Sequence, residues 1–230
     1  MYRIKIVCCA LMAIFALGAV ASTSASAAEL PEFTVVTNGT LSAGEVELTN
    51  RTSSMNYKCK SWQGTFTGMT NTTGTFTLDF LECTARIAGI TMACKSLGDA
   101  FNNPAKPKTG TILSGGSYAM SQVAPHRFMN LTVNQLHIEC SNEALTATAL
   151  LLENGVLLAD FTPIGTKTKE FKMEINAKEG KQEFTEWEND SGESVKAALD
   201  DSLDGGKEEA IAMNSEPVAL TMEKETELAK

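Results

Sequence analysis

Apolar and polar side chains alternate along much of the chain, beginning near residue 33. In residues 74–83, Phe76, Leu78 and Phe80 fall on one side of an extended chain, while threonine and aspartate occupy the positions between them. Because successive side chains of a strand point to opposite faces, this pattern predicts strands with one buried face. The same alternation recurs at residues 45–48, 62–67, 128–140, 171–175 and 182–187.

Glycine and asparagine residues separate these segments at short intervals, and threonine fills many of the polar positions. Short alternating segments with turn residues between them are typical of antiparallel all-β domains. The sequence therefore predicts an all-β fold over residues 29–222, either an antiparallel β-sandwich or a Greek-key barrel.

Three local patterns bear on the boundaries of these strands. Asn154-Gly155, between apolar residues 149–152 and 156–159, predicts a two-residue β-hairpin turn. Residues 193–203 fit both a helical and an alternating period, so this segment stays open between helix and strand. Residues 223–230 form a charged tail without an apolar face, and we expect this tail to fray.

The first 28 residues have the layout of an export signal. Arg3 and Lys5 precede an apolar run over residues 6–20, and small residues end the segment at Ala25-Ser26-Ala27-Ala28. The apolar run is shorter than the ~20 residues that a membrane-spanning helix needs, so an uncleaved anchor is the weaker alternative. We predict a signal peptide at residues 1–28 and a secreted or cell-envelope protein that is not inserted in a membrane after cleavage.

Four cysteines follow this segment, and an even number in an exported chain indicates two disulfides. Three connectivities are possible. Cys59 and Cys94 each begin a Cys-Lys-Ser triplet, whereas Cys83 and Cys140 each follow a glutamate and precede a hydroxyl residue. If these triplets mark two copies of one unit, Cys59 pairs with Cys83 and Cys94 pairs with Cys140. A four-thiolate zinc site is disfavoured because no C-x2-C spacing is present.

The formal net charge is −9, and the acidic excess lies near the end of the chain. Residues 179–230 contain fifteen Asp or Glu and five Lys. Phosphate binding needs clustered Lys and Arg, so nucleic acid is an unsuitable partner, and a partner on the cell envelope or surface is the remaining expectation.

Few residues suggest chemistry. The chain has two histidines, His126 and His137, and no hydrolase, nucleotide-binding or metal-binding motif, so no cofactor or metal is predicted. The one catalytic candidate is the segment containing Glu186, Glu188 and Asp190, because alternate positions of a strand share a face. Two carboxyl groups ~5 to 5.5 Å apart serve a retaining glycosidase.

The whole arrangement resembles a family of uncharacterised secreted β-rich proteins from actinobacteria. The likeness runs over most of residues 29–222 and rests on the two cysteine pairs, Gly180-Lys181-Gln182-Glu183, a Gly-Gly turn and a closing Glu216-Pro217-Val218. Residues 189–192 depart from the glycine pair that is usual in that family. The resemblance implies an exported β-rich protein and favours a strand at residues 195–203, but it implies no activity and no functional residue.

These observations lead to two functional expectations. The first is a non-enzymatic secreted or cell-envelope domain with a binding or structural role. The alternative is a secreted polysaccharide hydrolase in which Glu186 acts as the acid and Glu188 as the nucleophile.

Overall fold

The computed structural model describes residues 30–50, 55–98, 108–189 and 191–229. The predicted signal peptide at residues 1–28 lies outside these ranges. The described residues form the following strands and one 3₁₀ helix: β1 (Glu32–Phe33), β2 (Gly39–Ala43), β3 (Val46–Asn50), β4 (Met55–Cys59), β5 (Ser61–Gly68), β6 (Thr73–Leu81), β7 (Thr84–Ile87), β8 (Ile90–Gly98), β9 (Thr111–Val123), β10 (His126–Asn142), η1 (Glu143–Leu145), β11 (Ala147–Thr162), β12 (Thr168–Glu174), β13 (Ala177–Lys178), β14 (Lys181–Gln182), β15 (Glu186–Glu188), β16 (Ser194–Lys196), β17 (Leu199–Leu203), β18 (Glu209–Ser215), β19 (Val218–Thr226) and β20 (Leu228–Ala229).

Most of these strands combine into eight long staves. Six staves consist of two strands that follow one another along the same line, and two are single long strands. In chain order, β2 and β3 form stave A, β4 and β5 stave B, β6 and β7 stave C, β8 and β9 stave D, β10 stave E, β11 stave F, β12 and β17 stave G, and β18 and β19 stave H.

Each stave pairs antiparallel with the stave before it and the stave after it. Stave H returns to stave A through the pairs β18–β3 and β19–β2. The eight staves therefore close into an antiparallel barrel with no free edge between the first and the last stave. The all-β prediction is confirmed, and the strand order refines it, because neighbours in sequence are neighbours in space, as in a meander rather than a Greek key.

Alternation along each stave sends apolar side chains into the barrel and polar ones to its surface. Phe76 and Leu78 are buried on β6, and Phe66 on β5 packs against Tyr118 with ring centroids 5.4 Å apart. On the outer face, the hydroxyls of Thr65 and Thr77 lie 2.8 Å apart across β5 and β6. One continuous apolar core fills the barrel along its length.

The two disulfides have the predicted pairing. Cys59 joins Cys83 and Cys94 joins Cys140, so the first bond links staves B and C and the second links staves D and E. Cys94 and Cys140 are direct cross-strand partners. In the chain-entropy view, each closed loop stabilises the fold by about 3 to 4 kcal/mol.

The predicted hairpin at Asn154-Gly155 is wrong, because β11 runs without a turn from Ala147 to Thr162. The apolar residues on either side of Gly155 pair with β10 instead of with each other. Gly155 has φ 134° and lies opposite an irregularity in β10 between Val133 and Leu136. A Cβ atom at residue 155 would overlap the carbonyl oxygen of Ala198, so the glycine permits a close approach between two chain segments.

The expected fraying of residues 223–230 is also wrong for the part that the structure describes. β19 continues to Thr226, and β20 pairs with β1 across one end of the barrel. Leu228 is fully buried, and the Val35 N–H donates a hydrogen bond of 3.1 Å to the Thr226 hydroxyl. Glu223, Lys224 and Glu225 are exposed, whereas Thr226 and Leu228 are buried.

Stave G is interrupted by residues 175–198, which leave the barrel wall after β12 and return at β17. This insertion carries the short pairs β13–β14 and β15–β16. It packs on the outer face of staves E and F, where Phe128 and Leu158 are buried together with Ala197. The open question over residues 193–203 is settled in favour of strand, since β16 and β17 lie there.

Within the described ranges, no helix has the length and apolar character that crossing a membrane requires.

The close approach at Gly155 gives a first prediction. Gly155→Ala should lower the free energy of unfolding by about 3 kcal/mol or more, because it adds a steric overlap to an unfavourable φ. Gly192→Ala is the matched control, since Gly192 also has a positive φ, 74°, but nothing lies near its Cβ position. Urea unfolding measures both variants, and equal losses of stability would contradict the steric explanation.

Candidate functional site

The barrel encloses a cavity of about 50 Å³ near its middle. Its wall is mainly apolar and includes four aromatic side chains, which come from staves B and C: Tyr57, Trp62, Phe76 and Phe80. Trp62 and Phe80 stack with ring centroids 5.4 Å apart. The indole Nε1 of Trp62 is buried and has no hydrogen-bond partner among the described residues.

One acidic side chain lies on the wall of this cavity. Glu153 belongs to the inward-facing positions of β11, two residues after the buried Leu151, and it is 7% exposed. The register of the sheet places it directly opposite Asp201 of β17, which is 1% exposed. The alternation of the staves thus brings two carboxyl groups together inside the barrel.

Two neighbouring polar side chains complete this group, which we call the acidic cluster: Glu153, Asp201, Asn50 and Tyr57. The Asn50 amide donates a hydrogen bond of 2.9 Å to Asp201 Oδ1. The other oxygen of Asp201 and the Tyr57 hydroxyl are buried without a hydrogen-bond partner in the described part of the chain. Buried polar atoms normally have a partner, so two such atoms within one group make the acidic cluster an unusual feature of the core.

Burial dominates the electrostatics of the acidic cluster. Burial, followed by the charge of Asp201, raises the pKa of Glu153 from its ordinary 4.5 to about 8. Burial raises the pKa of Asp201 to about 6, although the hydrogen bond from Asn50 opposes this shift, and the charges of Glu209 and Asp200 add to it. The pKa of Tyr57 is raised by burial and by both carboxylates. Near neutral pH, Glu153 is therefore mainly protonated in the folded protein.

A second depression lies on the outside of the barrel, beside the insertion. This outer groove has a volume of about 390 Å³ and is lined in part by Lys181, Gln182 and Thr185. Leu157 and Leu199 line both the outer groove and the interior cavity. A wall containing these two leucine side chains therefore separates the cavity from the groove.

The acidic residues considered for the alternative hydrolase hypothesis lie elsewhere. Glu186 and Glu188 are exposed on β15, and Glu186 accepts a hydrogen bond of 3.0 Å from the Ser194 hydroxyl. Asp190 lies outside the described residues. Trp187, between the two glutamates, packs against the small apolar cluster under the insertion. An exposed strand does not desolvate a carboxyl group, so nothing in this geometry favours a hydrolase.

The histidines do not form a catalytic arrangement with these residues. The His126 ring nitrogen Nδ1 lies 2.8 Å from Asp160 Oδ2, and the ring stacks on Phe128. His137 is exposed on β10, as expected for a surface histidine. In the part of the chain that is described, no group of three or more metal-ligating side chains is close enough to hold a metal ion.

Reasoning from the sequence missed the acidic cluster, although one signal was present. Glu153 shares its alternation with the apolar residues Ala149 and Leu151, and Asp201 lies between Leu199 and Leu203. An acid at an inward position of an otherwise apolar strand face predicts a buried carboxyl group. The false hairpin at Asn154-Gly155 hid this signal, because it ended the strand at Glu153.

Comparisons with protein-family models, with curated proteins and with solved structures found no match. The resemblance to secreted actinobacterial proteins therefore stays a prediction.

The raised pKa of Glu153 predicts a pH-dependent stability. An acid whose pKa is higher in the folded state stabilises the fold fully below its ordinary pKa, near 4.5, and this contribution falls until the pH passes about 8. We expect Glu153→Gln to remove this dependence, so that the variant gains stability over the wild type as the pH rises from 5 to 8. Each pKa unit corresponds to about 1.4 kcal/mol.

Chemical unfolding at several pH values measures this difference. Glu186→Gln is the matched control, because it replaces an exposed glutamate and should leave the pH profile of the wild type unchanged. A constant difference between Glu153→Gln and the wild type over this range would show that Glu153 is not buried in its neutral form.

Proposed function

We propose that the protein is an extracellular or cell-envelope binding protein that holds one small, largely apolar molecule inside its barrel. The observation that carries this proposal is the cavity itself, which is closed by eight staves, walled by apolar and aromatic side chains, and bordered by a few polar groups. This combination is typical of small-molecule sites. Eight-stranded barrels have an interior that is either filled by side chains or able to hold one small ligand.

The size of the cavity limits the ligand. One water molecule needs about 10 to 15 Å³ of such volume, so a cavity of about 50 Å³ accepts on the order of four water-sized atoms. The natural ligand is therefore a short molecule, or a longer one whose end alone enters the cavity.

The break in stave G supplies a route for entry. The outer groove and the cavity lie on either side of Leu157 and Leu199, where β12 has ended and β17 begins. A ligand that enters there needs to displace only side chains, because stave G has no continuous row of backbone hydrogen bonds at this point. Turning a leucine side chain between rotamers is far easier than parting two hydrogen-bonded staves.

The proposed location is supported by the two disulfides, Cys59–Cys83 and Cys94–Cys140. Structural disulfides are common in exported proteins and rare in reducing compartments. The predicted signal peptide at residues 1–28 and the resemblance to secreted actinobacterial proteins support the same location.

A titration with three-carbon probes tests the proposed binding. We expect at least one of 1-propanol, n-propylammonium and propanoate to shift the Trp62 indole N–H resonance in a saturable way, because the Trp62 side chain lines the cavity. The Trp187 indole serves as an internal reference, since Trp187 lies on the insertion. Affinities should be weak, because each heavy atom contributes at most about 1.5 kcal/mol.

Val133→Phe should reduce the saturable shift at least about tenfold, since Val133 lines the cavity and a larger side chain fills it. Leu150→Phe is the control, because Leu150 is 47% exposed on the outer face of β11. If no probe shifts the Trp62 signal, or if Val133→Phe binds as the wild type does, the proposed function is wrong.

A further inference from the structure

The acidic cluster has an excess of negative groups and no cation to match. Glu153 lines the cavity, and Asp201 lies directly opposite it in the sheet. None of the described residues that line the cavity is a lysine, an arginine or a histidine. Buried carboxyl groups in proteins are normally paired with a cation, and no ion pair of Glu153 or Asp201 is found among the described residues.

We infer that the molecule held in the cavity is a small aliphatic ammonium, with its charged group at Glu153 and its short carbon chain against the aromatic wall. This inference rests on the proposed function and names its ligand class. An ammonium group supplies a positive charge, which the acidic cluster lacks, together with several hydrogen-bond donors.

The unpartnered oxygen atoms support this class of ligand. Asp201 Oδ2 and the Tyr57 hydroxyl are buried without partners among the described residues, and both residues are at most 2% exposed. Each of these oxygen atoms can accept a hydrogen bond, and the Tyr57 side chain lines the cavity. A donor that enters the cavity can satisfy the Tyr57 hydroxyl, and this bond is strengthened by the low dielectric of the core. Asp201 does not line the cavity but adds negative charge beside it, as the sheet partner of Glu153.

The aromatic wall supports the positive charge as well. Tyr57, Trp62 and Phe80 line the cavity together with Phe76, and ring faces attract a cation within about 6 Å. The negative charges near Asp201 also favour a cation in the cavity. Glu209 on β18 and Asp200 on β17 add negative potential at Asp201.

Other ligand classes fit this cavity less well. A carboxylate or phosphate would be repelled by the acidic cluster and would meet no cationic side chain on the cavity wall. A metal ion would need more ligands, since no group of three metal-binding side chains exists in the described ranges. A neutral alcohol fits by size but leaves the two acids without a positive charge.

The experiment compares n-propylammonium, 1-propanol and propanoate, which share a carbon chain length and differ in charge. In the wild type, the Kd of n-propylammonium should be at least about tenfold lower than that of 1-propanol, and propanoate should not bind. In Glu153→Gln the affinities of n-propylammonium and 1-propanol should agree within about twofold, because the variant keeps the cavity and removes the carboxyl group that can give up its proton when a cation binds beside it. Glu186→Gln, an exposed glutamate on β15, should behave as the wild type.

Asp201→Asn is a second variant, and its amide oxygen can still accept the hydrogen bond from Asn50. Because this variant removes the carboxylate, it should weaken n-propylammonium binding at least about threefold. If 1-propanol binds as tightly as n-propylammonium in the wild type, or if the preference survives in Glu153→Gln, the ammonium inference is wrong while the proposed binding function stands. If none of the three probes binds, both are wrong.

Discussion

The closure of the first stave on the last is the constraint on which the rest of the structure depends. β18 and β19 reach the end of the chain and pair with β3 and β2, near its beginning. Without those pairs, staves A and H would each present a row of unpaired backbone groups. With them, every stave has two neighbours, and alternate side chains must fill one shared interior. The cavity and the acidic cluster exist because the staves close around this interior.

Much of the architecture could be predicted from the chain, because strand alternation is a local signal. The segment with Phe76, Leu78 and Phe80 is a strand with its apolar side inward, as its alternation predicts. The cysteine pairing followed from a repeat of short triplets. The turn predicted at Asn154-Gly155 is wrong because a glycine occurs both in turns and where two chain segments pack closely. The sequence does not distinguish the two cases, since the approaching segment, here Ala198, is distant along the chain.

The candidate site could not be predicted in the same way, because it depends on pairing between distant parts of the chain. Glu153 and Asp201 are far apart in sequence and meet only through the register of staves F and G. The insertion within stave G conceals that register, since residues 175–198 separate β12 from β17. The acidic candidates that the sequence offers, Glu186 and Glu188, lie on β15, in a segment rich in acidic residues. The carboxyl groups whose pKa is raised, Glu153 and Asp201, are instead isolated among apolar neighbours.

The separation between staves A and H has a consequence for how the chain folds. Barrel closure joins residues near 40 to residues near 220, so most of the chain must be present before the last ladder can form. Long-range pairing of this kind slows folding, and the open edges of an incomplete barrel can pair with other chains. Both disulfides lie within staves B to E, which precede staves F to H along the chain. Oxidation can therefore join stave B to C and stave D to E while the outer edges of staves A and E still wait for staves H and F.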